Sequence, residues 1–389
     1  MLRAVAEALA SLGHVVRVHR SAGPPQALVP LGNAAVPRPT PPRWKRKFEA
    51  KAWFLKALWR NRAMQRRDLA ALREMEPDVV LCRQEAYCYS MQTWCARLGF
   101  PLVVLADAPL AHEARLRSDP DYWHPRGLLE AVERASLQSA ESVITSSRCA
   151  RTLFQGVAPG VPIHFVPNGV DPRRFAPLKP EERSALKARW GLCAQKVVGF
   201  LETFHPFQRL ELLRELVRWS ATRNDIQWLL VGDGPGRTVL QEETRDAKRV
   251  VLTGNQPPEV VGPLLQLMDV GVAPGQESRG EFCHFPLSVF EYAAAGCAVL
   301  ASAQGDIPYL MDEGRAALLL QDTDSSRWTG ALEHLLDDEE DRIRLGDAAR
   351  RHVLSHFTWR ETARQLERIL FAARDKSPVV LQEEEPAVP

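Results

Sequence analysis

Short apolar runs rich in valine, isoleucine and leucine alternate along this chain with longer stretches whose apolar residues recur every three to four positions. The first pattern suits strands buried on both faces, and the second suits helices with one apolar stripe. Together they predict an α/β fold, parallel sheets covered by helices. The opening stretch places Leu2, Val5, Leu9 and Leu12 on one helical face. Strands are expected at 15–18, 78–81, 102–105, 142–145 and 163–166 in the first half. In the second half they are expected at 196–200, 228–231, 250–253, 270–273, 298–302 and 317–320. Pro167-Asn168-Gly169-Val170-Asp171 is turn chemistry between the halves, since proline, asparagine and glycine each break regular structure for a different reason. The expected organisation is a first domain over 1–171, a linker over 172–180, a second domain over 181–357, a terminal helix over 358–375 and an acidic, disordered tail over 376–389.

A chain of 389 residues can hold two separate cores, and 45% apolar with 25% charged residues is an ordinary globular composition. The net charge of +2 points to no partner. No run approaches the roughly 18 to 20 apolar residues of a spanning helix. The opening residues include Glu7 and no cleavage-like end, which argues against a signal peptide. Cys82, Cys88, Cys95, Cys149, Cys193, Cys283 and Cys297 are dispersed without paired metal-ligand spacing. They are expected to be reduced, mostly buried thiols of a cytoplasmic protein, with no metal site.

One segment changes this picture. Residues 43–67 carry ten Lys or Arg against one Glu, with Trp44, Phe48, Ala52, Leu55 and Trp59 at helical spacing. A basic amphipathic helix with aromatic residues suits an anionic membrane surface. The plainer alternative packs its apolar stripe on the first domain and leaves the basic face solvated. Nucleic acid is not expected as a partner, because no nucleic-acid module accompanies the run.

Candidate chemistry concentrates in the second half. Val231-Gly232-Asp233-Gly234-Pro235 follows an apolar strand, where ligands of open parallel sheets tend to sit. Leu252-Thr253-Gly254-Asn255 repeats the arrangement. In 285–296, Pro286 stands near a helix start and Gly296 just past its end, the usual asymmetry of helix termini. Free N–H groups near Leu287 and Ser288 would suit a diphosphate, and Glu291 on the same helix would suit a ribose diol. A carboxylate kept there only for the helix dipole is the structural alternative.

In this order the segments resemble family 4 glycosyltransferases of the GT-B fold, the group 1 glycosyl transferases, over roughly 79–372. Arg83 to Pro109 resembles the family's acceptor-side strand and loop. Val166 to Asp171 with Phe175 resembles its interdomain signature, and Phe357-Thr358-Trp359 the start of a terminal helix that returns to the first domain. The resemblance implies two Rossmann-like domains with parallel sheets facing across a cleft. It also implies a retaining hexosyl transfer, without metal or other cofactor, from a nucleotide-diphospho-sugar to a saccharide or lipid-linked hydroxyl. Glu291 matches the ribose-binding glutamate, Pro286 and Leu287 with Ser288 the phosphate loop, Gly254 and Asn255 the turn beside the base, and Gly232 the strand-end turn. The work implied is cell-envelope or polysaccharide assembly at the inner face of the membrane.

The chain departs from the family pattern at charged positions. Cys283 stands where a sugar-contacting glutamate is usual, and Glu281 lies two residues earlier. Ser288 replaces a lysine of a related subgroup, and Thr203 and Gln208 fall on two cationic positions. His205 or Arg209 would then supply the positive charge, Arg209 with a permanently charged fork. Ala106 takes the place of a common histidine, leaving Asp107, with His205 and Arg209, as the catalytic candidates and Arg83 and His112 on the acceptor side. Met1 falls inside the helix that follows the family's first strand, so an upstream start is expected, or else a shortened first domain. The competing function is a catalytically impaired GT-B subunit that binds or stabilises another transferase; an epimerase of similar fold fits the signatures less well.

Overall fold

The computed structural model describes residues 2–19, 59, 61–112, 127–204, 208–244, 249–275, 287–321 and 323–376. They form two compact units, one of Met1–Pro167 with Trp359–Pro389 and the other of Asn168–Ser278 with Phe285–Thr358. The first unit runs α1 (Leu2–Ser11), α2 (61–75), β1 (Val80–Arg83), α3 (Ser90–Leu98), β2 (Leu102–Leu105), α4 (Leu128–Gln138), β3 (Ser142–Thr145), α5 (Arg148–Val157) and β4 (Ile163–Phe165). The second runs α6 (Pro180–Arg189), β5 (Lys196–Leu201), α7 (Leu210–Trp219), β6 (Ile226–Val231), α8 (Arg237–Thr244), β7 (Val250–Gly254), α9 (Pro258–Leu265) and β8 (Val270–Ala273). It continues with α10 (Leu287–Ala295), β9 (Ala298–Ser302), α11 (Ile307–Leu310), β10 (Leu318–Leu320), α12 (Ser325–Asp337) and α13 (Glu339–His356). The last helix, α14 (Trp359–Asp375), belongs to the first unit.

The first sheet is parallel with strand order β1-β2-β3-β4. Side chains alternate across a strand, so the uninterrupted apolar run of β2 feeds two cores. Leu102 and Val104 pack with Leu72, Cys95, Leu137 and Phe154, whereas Val103 and Leu105 pack with Val5, Leu9, Leu366 and Ile369 of α1 and α14. In α2, Met64, Ala71 and Leu72 are buried and Arg62, Arg66 and Arg67 are exposed. Trp59 is also exposed, while Trp44, Phe48, Ala52 and Leu55 of the basic stretch lie outside the described residues. None of the described helices is long and apolar enough to cross a membrane.

The second sheet is also parallel, in the order β10-β9-β8-β5-β6-β7. Its core gathers Phe200, Leu213, Leu216, Trp228 and Trp328. Strand β5 lies between β6 and β8, so the strand order reverses there, and ligands of open parallel sheets tend to sit outside the C-terminal ends of strands at such a point. Ahead of α6, Pro172–Phe175 form a 3-10 turn capped by Asp171, whose carboxylate accepts from the Arg173 N–H at 3.0 Å, and Phe175 is fully buried.

Two expectations are corrected. Residues 15–18 form no strand: Val15 and Val18 are exposed, no neighbouring strand offers them a ladder, and only Val16 packs against the core. Not all thiols are free either. Cys82, Cys88, Cys95, Cys193 and Cys297 are, but Cys149 near the start of α5 is disulfide-bonded. Spacing along a chain does not record which cysteines meet in space.

Candidate functional site

The backbone of the second unit fixes the site first. Gly232 follows β6 at φ +128°, its N–H donating to the Gly254 carbonyl at 3.1 Å. A Cβ on Gly232 would stand 1.9 Å from the Glu202 carbonyl oxygen, and one on Gly234 would stand 1.9 Å from that of Thr203. The two strand-end loops therefore touch backbone to backbone, which only glycine allows. This contact sets where the chain turns after β5, and hence where Glu202 points.

Glu202 reaches the start of α10. The Ser288 hydroxyl donates to its Oε1 at 3.0 Å, and the Gln208 amide donates to its Oε2. Burial pushes its carboxyl up to about 7; the bonds from Ser288, the Thr203 N–H and Gln208 oppose the shift, and the nearby charge of Glu291 adds to it. Ser288 is the second residue of α10, where N–H groups lack partners within the helix.

Glu291 lies one turn further on, its side chain 12% exposed, with Arg174 Nη1 at 3.3 Å from its Oε1. Burial raises its carboxyl, and the Arg174 charge opposes that rise. Arg174 is itself held through Nε and Nη2 by the Pro258 carbonyl, at 3.2 and 3.0 Å. This arrangement presents a fixed carboxylate with lone pairs left to accept further hydrogen bonds.

Arg209 precedes α7 at φ +26°, and its Nη1 donates to the Pro274 carbonyl at 3.0 Å and to Ser302 Oγ at 3.4 Å. Its charge thus sits at the ends of β8 and β9. Leu287 begins α10 partly exposed, Gly254 ends β7 at φ +69°, and Asn255 is exposed beyond it. Arg209, Gly232, Gly254, Asn255, Leu287, Ser288 and Glu291 accordingly share the C-terminal edge of one sheet. Pro286 and His205 lie outside the described residues.

In the first unit, Arg83 at the end of β1 donates from Nη2 to Asp107 Oδ2 at 2.8 Å, beside β2. The Thr145 hydroxyl fixes the Asp107 carbonyl at 3.1 Å. His112 stands half-buried after a helical turn whose start is held by Glu133. The buried Glu133 carboxylate accepts from the N–H groups of Leu110 at 2.6 Å and Ala111 at 3.2 Å, and from the Gln84 amide at 2.9 Å. Glu133→Ala strips two buried donors and one half-buried donor of their acceptor and is expected to cost about 2–4 kcal/mol in urea unfolding. Glu133→Gln keeps one acceptor oxygen and should cost less. Among the described residues no three His, Cys, Asp or Glu side chains gather as metal ligands would.

Residues 1–174 match the family Glycosyltransferase Family 4, and residues 195–338 match Glycosyl transferases group 1. A GDP-mannose-dependent alpha-mannosyltransferase of Mycolicibacterium smegmatis is 30% identical over 302 residues, 75% of this chain and 73% of that protein. The chain belongs to the family 4, group 1 glycosyltransferases. A second relative of this glycosyltransferase, the GDP-mannose-dependent alpha-(1-6)-phosphatidylinositol monomannoside mannosyltransferase of the same organism, is 29% identical over 71% of this chain and 75% of its own. Among solved structures, Anabaena HepE in complex with UDP superposes with a TM-score of 0.66 at 16% identity, covering 79% of this chain and 82% of that one. That likeness, with two parallel sheets flanked by helices, is the GT-B fold.

Two residues of the glycosyltransferase escaped the sequence reading. Glu202 follows the last residue of β5, a strand-end position that deserved the weight given to its neighbours Thr203 and Gln208. Arg174 sits within the stretch read as linker, 117 residues before the glutamate it faces, and no local pattern announces that pairing.

Proposed function

We propose that this glycosyltransferase draws its sugar from a nucleotide-diphospho-sugar held at the C-terminal edge of the second sheet. Glu291 accepts from the ribose hydroxyls. The N–H groups at the start of α10, near Pro286, Leu287 and Ser288, and the Arg209 guanidinium with His205, meet the diphosphate. Gly254 and Asn255 lie beside the base, and Gly232 shapes the turn. Transfer to a saccharide or lipid-linked hydroxyl proceeds with retention, without metal or organic cofactor. The protein orients the donor and meets the charge that develops on the leaving diphosphate. Arg83, Asp107 and His112 serve the acceptor side. The setting is cell-envelope or polysaccharide assembly at the cytoplasmic face of the membrane, with 43–67 on an anionic surface and nucleic acid not a partner.

The observation that carries this reading is Glu291 clamped by Arg174 one turn from the start of α10. The GDP-mannose dependence of the two mycolicibacterial relatives and the UDP bound to the Anabaena structure support a nucleotide donor. A panel of GDP-, UDP- and ADP-sugars should contain one donor that raises the melting temperature by about 5 °C or more near a hundredfold excess over Kd. No shift with any donor, together with no transfer of labelled sugar, would sink the proposal. One observation favours the second reading, an impaired partner subunit: the Glu202 carboxylate accepts from Ser288 and so brings negative charge beside the proposed diphosphate site. That reading predicts a stable complex with another transferase and no turnover by the chain alone.

A further inference from the structure

The Glu202 carboxylate accepts from the hydroxyl of Ser288, the second residue of a nine-residue helix, beside the helix-start N–H groups of the proposed diphosphate site. Its other oxygen is engaged by Gln208, next to Arg209, and its backbone is pinned by the contact with Gly232. An ionised carboxylate and a diphosphate cannot both occupy this corner without strong like-charge repulsion. A protonated carboxyl reverses the interaction, because it gains an O–H donor. We propose that Glu202 serves as a proton-coupled gatekeeper of the donor site: as a carboxylate it fills the anion position at the start of α10, and on taking up a proton it becomes a hydrogen-bond donor to the diphosphate. This rests on the donor-site reading above.

The surroundings favour such a switch. From α10, Glu291 adds negative charge, partly answered by Arg174, and the Tyr292 hydroxyl accepts from the Leu201 N–H at 2.5 Å with its own ionisation pushed well up, so it stays neutral. From the loop before α7, Arg209 turns its guanidinium to Pro274 and Ser302. On the β6 side, Asp233 is paired with Arg237 at 2.8 Å. Among the described residues, no lysine or arginine is therefore in direct contact with the Glu202 carboxylate, and burial holds its carboxyl near 7. The approach of a diphosphate raises it further.

The test measures the affinity of GDP-mannose, UDP-glucose and ADP-glucose from pH 5.5 to 8 for the parent and Glu202→Gln; the donors keep constant charge over this range. For the donor that binds, parent affinity should fall about tenfold for each unit above about 7, while Glu202→Gln should lose that fall and keep only the dependence that His205 gives to both proteins. Calorimetry at pH 8 in buffers of different ionisation enthalpy should show about one proton taken up per donor bound by the parent, a readout that stands even if the variant folds poorly. Without ligand, the folded chain holds a proton that the unfolded chain releases near 4.5, so the contribution of Glu202 to stability is full below that value and is lost as pH rises through about 7. The melting temperature of Glu202→Gln should therefore gain on the parent between pH 5 and pH 8. Donor binding with the same pH profile in both proteins and no proton uptake overturns the gatekeeper and leaves the donor site standing. Binding of none of the three donors at any pH overturns both.

Discussion

Replacing Glu291 by alanine is expected to weaken donor binding by roughly 10- to 100-fold, the largest loss of any single side chain in the second unit that leaves the fold intact. Hydrogen bonds to an ionised group contribute about 1.5–3 kcal/mol each, and a ribose diol can make two to one carboxylate. The loss of one such bond's worth, after water compensates in part, falls in that range. The arrangement of Arg174 sharpens the forecast. With the glutamate gone, its guanidinium keeps both contacts with the Pro258 carbonyl, so it should remain in place with only Asp171 to answer its charge in part. Glu291→Gln preserves shape and one acceptor and should recover part of the affinity, whereas Arg174→Ala should free the carboxylate to wander and weaken binding less than Glu291→Ala. Isothermal titration of the donor identified by the thermal panel checks the series. Equal affinity in Glu291→Ala and the parent would reduce Glu291 to a structural carboxylate.

Gly232→Val should do more damage, and to stability rather than to affinity. Its Cβ would be driven to 1.9 Å from a backbone oxygen that cannot swing aside, at a φ of +128° that branched residues avoid. Strain of this kind costs roughly 3 kcal/mol or more, which lowers the melting temperature of a domain of this size by about 6–12 °C. Gly305→Ala makes a fitting control. That glycine also has positive φ, at +58°, but a Cβ there meets nothing within 4 Å, so only the local backbone penalty of roughly 1–2 kcal/mol applies. Comparable melting temperatures for the two variants would show that the loops after β5 and β6 are looser than their contact implies.

The strands were legible because their physics is local. Runs such as 102–105, 142–145, 270–273 and 298–302 are apolar on both faces, and all four emerge with the limits expected. Residues 15–18 misled for the complementary reason: β-branched composition marks a segment willing to be a strand, but a ladder needs a neighbour, and that is a tertiary fact. The helix of Glu291 was legible from its flanking Pro286 and Gly296 and its apolar stripe. Glu202 and Arg174 were not, because each matters through a partner 86 or 117 residues away in the chain. Charge at the site was the hardest part to read. Thr203 and Gln208 signalled missing cations, yet the structure adds an acid, and a buried acid's charge depends on the solvent it loses rather than on its letter.

The place of α14 in the chain has a kinetic meaning. Ala363, Leu366, Ile369 and Ala373 of α14 close the same core as Val5 and Leu9 of α1, and His14 meets Glu367 at 2.6 Å. The sheet of the first unit thus waits for α14, which follows the whole second unit along the chain, before its packing on that face is complete. Until then Val103, Leu105 and Ile144 have α1 on that face but lack Ala363, Leu366 and Ile369, and part of their apolar surface stays uncovered. The second unit, whose two segments are both complete before α14 emerges, is free to finish first.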